Sequence, residues 1–346
     1  MTNQALSLPK IAERVVDEHA AYEFLEELRW PKGPVCPHCG TVDNATFLKP
    51  RGDEAGKARA TRTGAMSQRR VWKCKNKTCR KQFSVLTGTI FHGSKVPVRV
   101  WVLVVAQMCA SKNGVAAREV ERLYGLTPKT AWFVTHRIRE AMKRGAPDLL
   151  VGTIVADETY VGGDMSNWHA NDPRRTVPVR VKPGEHVAHP HKTTVLSLVN
   201  VESGEVRSQV VPNVTGSTLR KVIREQVAIE SSHLQTDEGS WYNQVGKEFL
   251  SHGTVNHSVG QYVNGPVSTN RLEGYFAQLK RSLDGTHHHV SREHLPRYLA
   301  EFDFRYSTCS LSDAQRMSVL LGRADGGSPT SSAGERQSHL LLHFGR

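Results

Sequence analysis

Three acidic side chains and one lysine in the second half of the chain could do chemistry together. Asp157 lies in the middle of a β-prone segment, and Asp237 ends a second, shorter one. Glu273 and Lys280 lie in a segment with helical periodicity. Carboxylate oxygens are the ligands that hard divalent cations prefer. Three carboxylates on separate elements could therefore hold a pair of Mg²⁺ ions, an arrangement that catalyses displacement at the phosphorus of a phosphodiester.

Residues 270–281 predict a helix that carries a carboxylate and an ammonium on one face. Glu273 and Lys280 are seven residues apart, so they lie two helical turns from each other on nearly the same azimuth, and Asn270 lies one turn before Glu273. The flank that would be buried holds Leu272, Phe276 and Leu279. A single acidic residue on a helix is usually only a solvated charge, so the assignment of Glu273 depends on the two aspartates.

A glutamate follows each aspartate and is the alternative ligand at that position. Glu158 follows Asp157, and Glu238 follows Asp237. Because neighbouring residues of a strand point to opposite faces of the sheet, the glutamates and the aspartates would face different sides. We therefore expect the aspartates to act with the helix.

The spacing and the local sequences resemble a known family of enzymes. Asp237 and Glu273 are separated by 35 residues, and Lys280 follows the glutamate by seven, which resembles the signature of DDE transposases and retroviral integrases. The chain resembles most closely the bacterial insertion-sequence DDE transposases of the ISXO type. The matching stretches are DETYVGG, TDEGSWY, TNRLEGYFAQLKR and GTHHHVSREHLPRYLAEFDFRYS. With the N-terminal cysteines, the resemblance covers residues 20–308.

The resemblance implies a catalytic role for each of these residues. Asp157 would bridge two Mg²⁺ (or Mn²⁺) ions, and Asp237 and Glu273 would each complete the shell of one. Lys280 would hold a backbone phosphate near the scissile bond, and Asn270 would hydrogen-bond to Glu273 or to DNA. Some relatives carry Asn as the third residue, so Asn270 is the alternative there. The reaction would be cleavage at the ends of an insertion sequence, followed by transfer of the freed 3′-hydroxyl to target DNA.

Four cysteines in the N-terminal part form two close pairs that favour structural Zn²⁺. Cys36 and Cys39 are separated by two residues, whereas Cys74 and Cys79 are separated by four. Two such pairs can surround a tetrahedral ion as a zinc ribbon, although the second spacing is wider than the usual one. Buried thiols without a metal and a disulfide are the alternatives, and His38 or His92 could replace one thiolate.

Charge and helical periodicity in the first half of the chain indicate contact with a polyanion. The net charge is +13, and residues 1–150 hold 26 Lys and Arg against 13 Asp and Glu, whereas residues 151–346 hold 20 of each. Three predicted helices (98–110, 115–124 and 128–143) are consistent with a helix-turn-helix, because a glycine turn and a Thr-Pro start separate the last two. The DNA-contact candidates are Lys129, Thr130, His136, Arg137, Lys280 and Arg281. The last of these helices and its end also carry Trp132, Arg139, Lys143 and Arg144, which suit the same contact. A packing bundle without DNA contact is the alternative.

Strand order favours a ribonuclease-H-like α/β fold for the last large domain. Three consecutive strands are predicted, followed by alternating helix and strand, so Asp157 falls on the first strand and Asp237 on the fourth. These strands lie side by side in such a sheet. The expected division of the chain is an N-terminal helix (1–29), a zinc ribbon with a basic loop (30–93), a helix-turn-helix domain (95–146), a catalytic domain with a mixed sheet and flanking helices (150–310), and a disordered tail (311–346).

Because the sequence shows neither a long apolar segment nor an export signal, we expect the protein to be cytoplasmic. The sequence contains no run of about 18 or more apolar residues, so no membrane partner is expected. We expect a cytoplasmic, nucleoid-associated bacterial protein that binds double-stranded DNA as a homodimer or larger assembly. The leading interpretation is a transposase. A zinc-dependent DNA-binding regulator with an inactive transposase-like domain, or a hydrolytic nuclease of the same fold, are the alternatives.

Overall fold

The computed structural model describes most of the chain as two compact units. The first comprises Met1–Gln107 with Asp313–Arg346, and the second comprises Met108–Ser312. The described residues are 7–50, 58–62, 64, 66–143, 148–163, 192–255, 263–264 and 267–324. The sequence also predicts a basic polar insertion (163–190), which lies outside these ranges from residue 164, as the predicted tail does from residue 325. The prediction of a disordered tail from residue 311 is wrong for residues Asp313–Gly322, which form a helix that buries Met317, Leu320 and Leu321. None of the helices in the described ranges is long and apolar enough to cross a membrane.

The chain forms two helices and short strands near its N-terminus, then three helices, and then one large sheet with further helices. In chain order, the helices and strands are α1 (Leu8–Arg14), α2 (Glu18–Arg29), β1 (Ala45–Phe47), β2 (Arg59–Ala60), β3 (Met66–Ser67), β4 (Trp72–Cys74), β5 (Gln82–Phe83), α3 (Val98–Ala110), α4 (Ala117–Tyr124), α5 (Pro128–Met142), β6 (Leu150–Val161), β7 (Thr193–Asn200), β8 (Val206–Val211), α6 (Gly216–Gln226), β9 (Val227–Thr236), α7 (Asn243–Gly246), β10 (Ser251–Thr254), β11 (Val263–Asn264), β12 (Val267–Ser268), α8 (Asn270–Ser282), α9 (Leu295–Ser307) and α10 (Asp313–Gly322).

The N-terminal segment forms two helices rather than the single predicted one. The backbone leaves the helix after Arg14, and the Asp17 side chain caps α2 by accepting a hydrogen bond from the Ala20 amide at 2.7 Å. The Glu18 carboxylate in turn accepts from the Val98 and Arg99 amides at 2.7 and 3.1 Å, which satisfies free donors at the start of α3. Acidic residues in this segment thus cap the starts of two helices, α2 and α3.

A three-stranded antiparallel sheet, in the order β1-β4-β5, forms the frame of the predicted ribbon. Ala45 lies opposite Cys74, and Trp72 lies opposite Phe83. Trp30 packs edge-on against the rings of both Trp72 and Phe83, with ring centroids 6.2 and 5.8 Å apart. Aromatic rings therefore supply most of the apolar contact area of a segment too short to build a larger core.

The second unit is built on a five-stranded mixed sheet in the order β10-β9-β6-β7-β8. The strands β6, β7 and β8 pair antiparallel, whereas β9 pairs in parallel with both β6 and β10. The expected α/β class, with a mixed sheet and flanking helices, is therefore confirmed. The two predicted acidic strands are direct neighbours, since β6 lies between β9 and β7.

Helices cover both faces of this sheet. Even-numbered and odd-numbered residues of β6 point to opposite faces and therefore pack against different helices. Ile154 and Ala156 pack in one cluster with Leu219 and Ile223 of α6. Val155 packs in the other cluster, with four residues of α8 and three of α9: Leu272, Tyr275, Phe276, Leu279, Leu295, Leu299 and Phe302. Odd-numbered residues in this part of β6 thus face α8.

The predicted helix pair before the sheet is present as α4 and α5. Gly125 ends α4 in the left-handed conformation, with φ +62°, and the Thr127 hydroxyl caps α5 by accepting from the Thr130 amide at 3.3 Å. One face of α5 is buried through Ala131, Val134 and Ile138. The amphipathic pattern therefore buries one side of α5 and leaves the other exposed.

Arg139 of α5 makes a buried ion pair with Glu301 of α9. The Arg139 Nε donates to Glu301 Oε2 at 2.7 Å, and the two side chains are 1% and 0% exposed. Arg139 Nη2 also donates to the Val115 carbonyl at 3.2 Å, and its guanidinium lies 4.2 Å from the centre of the Tyr298 ring. The sequence had suggested Arg139 as a further basic residue on the DNA-facing side of α5. That prediction is wrong, because this side chain is in the packing between α5 and α9.

Replacing Arg139 with Ala should destabilise the second unit by about 3 kcal/mol, because the substitution leaves Glu301 as a buried charge without its closest partner. Chemical denaturation followed by circular dichroism measures this loss. The exposed pair of Arg118 and Glu121 on α4 supplies the control, and Arg118→Ala should change stability by less than about 0.5 kcal/mol. Equal effects of the two substitutions would contradict the assignment.

Candidate active site and metal centre

The parallel pairing of β6 and β9 brings Asp157 and Asp237 alongside each other. Val155 pairs with Gln235 in this register. Asp157 and Asp237 each lie two residues beyond that pair, on the same strands or at their ends, so they reach the same level of the sheet. Asp157 also has the parity of Val155 and faces α8.

The third carboxylate lies in the first turn of α8, on the helix that covers this face. Glu273 is exposed, and its Oε1 accepts a hydrogen bond from the Thr269 hydroxyl at 3.3 Å. Two nearby residues of the helix, Leu272 and Tyr275, are buried against the sheet. The apolar flank of α8 therefore anchors the helix while Glu273 remains at the edge of the packed face.

Electrostatics link the three carboxylates. Burial, together with the nearby negative charges of Glu158, Asp237 and Glu273, raises the pKa of Asp157 to about 8. The Glu158 amide opposes this shift by donating to Asp157 Oδ1 at 2.7 Å. A cation bound between these oxygens would reverse the repulsion, and the set of carboxylate oxygens has the chemistry that Mg²⁺ or Mn²⁺ requires.

Glu158 lies on the opposite face of the sheet from Asp157, as strand alternation predicts. Its Oε2 accepts a hydrogen bond from the buried Tyr242 hydroxyl at 2.6 Å. Burial raises the pKa of Glu158 to about 7, and the bond from Tyr242 opposes this shift. Tyr242 ends a 3₁₀ turn (Ser240–Tyr242) that begins three residues after Asp237. The bond therefore ties the segment after Asp237 to the residue after Asp157.

A tight turn holds Asp237 at the end of β9. Its Oδ1 accepts from the Gly239 amide at 3.0 Å. A Cβ at position 239 would lie 2.7 Å from the Trp241 ring and 3.0 Å from Asp237 Oδ1, so only glycine fits. Glycine at position 239 therefore both avoids a steric clash and lets its amide donate to the Asp237 carboxylate.

The other predicted site residues lie on the exposed side of α8. Lys280 and Arg281 are exposed, and Asn270 is exposed at the first residue of the helix. Arg281 Nε donates to the Ala277 carbonyl within the helix at 3.1 Å. The structure thus places Asn270, Glu273 and Lys280 along one helix, with the two aspartates on the strands that this helix covers. Their catalytic roles remain predictions.

The predicted DNA contacts on α5 fall into exposed and buried residues. Lys129 is exposed, Thr130 is half-buried, and the half-buried Arg137 guanidinium lies 5.1 Å from the centre of the exposed Phe133 ring. His136 is only 4% exposed and stacks on Trp132, with ring centroids 4.0 Å apart.

The buried His136 side chain is excluded as a DNA contact. Its Nδ1 lies 3.4 Å from Arg297 Nη1, and its Nε2 lies 3.5 Å from the Tyr298 hydroxyl, so the ring packs against α9. Burial, together with the nearby charges of Arg139 and Arg297, lowers its pKa to about 3. A buried, neutral imidazole cannot neutralise a phosphate.

The four predicted zinc ligands converge in the first unit. Their sulfur atoms all lie within 4.8 Å of one another, with Cys36 Sγ 3.8 Å from Cys79 Sγ and Cys39 Sγ 3.7 Å from Cys74 Sγ. These S–S distances match the edges of a tetrahedron with Zn–S bonds of about 2.3 Å. Among the described residues, no other group of His, Cys, Asp and Glu side chains meets this criterion.

The wider second cysteine pair forms a knuckle of its own. The Cys79 and Arg80 amides donate to the Asn76 carbonyl at 3.0 and 3.1 Å, and the Asn76 Oδ1 accepts from the Thr78 amide at 3.1 Å. Arg80 adopts a left-handed φ of +51° to close the turn. Two additional residues therefore fit between Cys74 and Cys79 without separating their sulfur atoms from the cluster.

Replacing Cys74 with Ser should abolish the bound Zn²⁺ and unfold the ribbon, because the remaining ligands cannot close a tetrahedral shell. Metal analysis of the purified protein should give one zinc per chain for the wild type and much less for the variant. Cys309, exposed and outside the cluster, supplies the control. Equal zinc content in Cys74→Ser and Cys309→Ser would contradict the assignment.

Without divalent cations other than zinc, the protein should lose stability as pH rises from about 5 to 8. The folded-state pKa of Asp157 is about 8, against a reference value of 3.8, so the folded state binds more protons than the unfolded state between these values. Replacing Asp157 with Asn should flatten this dependence in denaturation measured across pH. The exposed Asp284 supplies the control, and Asp284→Asn should follow the wild type. An unchanged slope in Asp157→Asn would contradict the prediction.

The strand order of the mixed sheet and the helices on both of its faces define a ribonuclease-H-like α/β domain. The ISXO2-like transposase domain matches residues 149–307, and the transposase zinc-ribbon domain matches residues 16–82. The chain belongs to the ISXO2-like transposase family, so the resemblance found in the sequence and the zinc ribbon are both confirmed.

The relatives with similar sequences are consistent with this family. The chain is 26% identical over 310 residues to an uncharacterised protein in the transposable element ISH50 of Halobacterium salinarum, and the match covers 89% of this chain and 97% of that protein. It is 30% identical over 121 residues to an uncharacterised transposase-like protein of Haemophilus influenzae, covering 34% of this chain and 90% of that protein. The catalytic core domain of BIV integrase matches 56% of this chain and 98% of that chain, at 17% identity and a TM-score of 0.27.

Two structural features of this site escape sequence reasoning. One is the bond from Tyr242 to Glu158, and the other is Asp303 of α9, whose carboxylate accepts from Ser208 of β8 and Tyr275 of α8. Burial raises the pKa of Asp303 to about 7, and those hydrogen bonds oppose the shift. The available signal was an Asp between two phenylalanines on an amphipathic helix, which indicates a partly buried carboxylate without showing its partners.

Proposed function

We propose that this protein is a DNA transposase that cleaves the ends of its own insertion sequence and joins them to target DNA. The observation that supports this most directly is the convergence of Asp157 and Asp237 from neighbouring parallel strands beneath the helix that carries Glu273. Membership of the ISXO2-like transposase family supports the same reaction class. The exposed first turn of α8 leaves the site open to a polymeric substrate.

Asp157, Asp237 and Glu273 would hold two Mg²⁺ or Mn²⁺ ions, with Asp157 between them. Bound there, the two ions would activate the attacking oxygen and stabilise the leaving oxygen of an in-line displacement. Asp157, with its raised pKa, must lose its proton before it can serve as a ligand. Lys280, two turns from Glu273, would bind a non-bridging phosphate oxygen, and Asn270 would bind the DNA backbone or orient Glu273.

The nucleophile would change between the two chemical steps while the protein groups stay the same. In the first step, water attacks the phosphorus and the 3′-oxygen of the element end leaves. In the second step, that 3′-hydroxyl loses its proton and attacks a phosphorus of the target strand, displacing a target 3′-oxygen. The number of phosphodiester bonds is conserved in the second step, so no external energy source is needed.

The helix α5 would contribute DNA contacts outside the catalytic centre. Lys129 and Arg137 lie on its partly exposed side, with Thr130 near its start, and Arg281 lies beyond Lys280 on α8. Positive side chains on a helix that follows a glycine turn suit contact with the groove edges and the phosphate backbone. Because two element ends must be processed together, we propose a homodimer or larger assembly on double-stranded DNA.

Replacing Asp237 with Asn should reduce strand transfer by at least about a hundredfold, since even indirect partners of metal ligands cost 10–100-fold when removed. Binding to the element ends in a gel-shift assay should be retained. The neighbouring exposed residue supplies the matched control, and Glu238→Gln should remain active.

The same assay separates the proposal from its two alternatives. Cleavage without joined products by the wild type would indicate a hydrolytic nuclease. Binding without either reaction would indicate a regulator with an inactive domain. Strand transfer by Asp237→Asn at the wild-type rate would refute the site assignment while leaving the reaction class in place.

A further inference from the structure

A row of polar side chains, buried at its centre, crosses the sheet at the level of Asp157. Asp157 of β6 pairs with Ser197 of β7, and Ser197 pairs with Ser208 of β8. The Ser197 and Ser208 hydroxyl oxygens lie 2.8 Å apart, and Ser197 is 0% exposed. Paired residues on neighbouring antiparallel strands present their side chains on the same face. The row therefore starts beside the candidate metal ligand and runs away from it beneath the helices.

Asp303 of α9 ends this row. Its Oδ2 accepts from the Ser208 amide at 2.7 Å, and its Oδ1 accepts from the Ser208 hydroxyl at 2.7 Å. Since the Ser208 hydroxyl donates to Asp303, the Ser197 hydroxyl is the donor to Ser208. The hydrogen bonds thus have one consistent direction, from β7 through β8 to the carboxylate on α9.

Tyr275 of α8 completes the network from the other side. Its hydroxyl donates to Asp303 Oδ1 at 2.6 Å and lies 2.9 Å from the Ser208 hydroxyl. The Tyr275 side chain is 1% exposed. It lies two residues after Glu273, within the same helical turn, so the orientation of one side chain determines that of the other.

The apolar contacts of α8 cannot by themselves fix its rotation. Leu272, Phe276 and Leu279 pack against Val155 and other valines of the sheet, and such contacts are not directional. A small rotation of the helix would preserve much of this buried area yet move Glu273 at its edge. Hydrogen bonds at 2.6–2.7 Å restrict both distance and angle. A buried polar group that loses its partners is costly, so the network disfavours rotated arrangements.

We propose that Asp303 is a positioning residue for the reaction: through Tyr275 it sets the rotation of α8, and through Ser208 it ties that rotation to the strands beside Asp157. Glu273 would thereby be held over the face of the sheet on which Asp157 lies. Asp303 itself does not touch the cations or DNA. This inference rests on the proposed function of the three carboxylates.

The test compares Tyr275→Phe and Asp303→Asn with Tyr298→Phe in the full-length protein. Tyr275→Phe removes only the hydroxyl that binds Asp303. Asp303→Asn keeps the size of the side chain but leaves one oxygen acceptor for the three donors. Tyr298 lies on the same helix, and its hydroxyl faces His136 of α5 at 3.5 Å, so Tyr298→Phe removes a hydroxyl that does not contact α8.

The first measurement is Mn²⁺ binding by calorimetry, together with the Mn²⁺ dependence of cleavage. Tyr275→Phe and Asp303→Asn should each weaken Mn²⁺ binding roughly tenfold, the size of effect expected from a lost buried hydrogen bond. Saturating Mn²⁺ should restore most of the cleavage rate, because the ligands themselves are intact. Tyr298→Phe should bind Mn²⁺ as the wild type does. Wild-type Mn²⁺ binding by both test variants would overturn the proposal.

The second measurement is amide hydrogen exchange, which needs neither metal nor activity. Exchange should become faster in the first turns of α8 (270–276) in Tyr275→Phe and Asp303→Asn, with the central strands β6 and β7 unchanged. Unchanged exchange in α8 would overturn the positioning role. Faster exchange throughout the second unit would also overturn it, since Asp303 would then serve general stability.

The two measurements distinguish failure of this inference from failure of the proposed function. A wild-type protein that neither binds Mn²⁺ nor cleaves DNA would refute the proposed function, and the exchange data would still decide whether Asp303 fixes α8. A wild-type protein that binds Mn²⁺ through Glu273, as shown by loss of binding in Glu273→Gln, would support the function. In that case the results for Tyr275→Phe and Asp303→Asn test only the positioning role of Asp303.

Discussion

The parallel pairing of β6 with β9 is the interaction on which the candidate site depends. It places Asp157 and Asp237 at one level of the sheet, where burial and mutual repulsion both disfavour two negative charges. Backbone hydrogen bonds of a five-stranded sheet, closed on both faces by apolar clusters, hold the strands in this register. A slip of one residue would turn one aspartate to the opposite face, so the register is as important as the residue types.

The helix α8 brings the third carboxylate without adding to this burial. Its apolar flank is inserted against β6 and β7, whereas Glu273 remains exposed in the first turn, where a negative charge is also favoured by the helix dipole. The energy that holds α8 therefore comes from residues that do no chemistry. This separation explains how a strongly polar site can be attached to a stable core: the packed residues and the proposed ligands alternate along the same elements.

Much of this arrangement could be predicted from the sequence, and particular residues show where prediction ended. Branched apolar residues around Asp157 indicated a strand, and the spacing of Leu272, Phe276 and Leu279 indicated the buried flank of α8. Paired cysteines indicated a metal site whose ligands do converge. Arg139 was mistaken for a surface residue, because a basic residue on an amphipathic helix gives no sign of a buried partner 162 residues away. Asp303 and Tyr242 were missed for the same reason, since periodicity identifies a face and not its long-range hydrogen-bond partner.

The cysteine cluster and the proposed carboxylate site differ in a way that follows from their ligands. Four thiolates can fill the tetrahedral shell of Zn²⁺ completely, so the cysteine cluster leaves no position for a substrate and serves the fold. Three carboxylates cannot fill the octahedral shells of two Mg²⁺ ions, so the proposed site must complete them with water and phosphate oxygens. A closed and rigid coordination shell therefore suits the cysteine cluster, which stabilises the fold. The proposed second centre needs ligands that stay in place while part of the coordination shell changes during the reaction. A network that fixes the rotation of α8 would therefore matter to function as well as to stability.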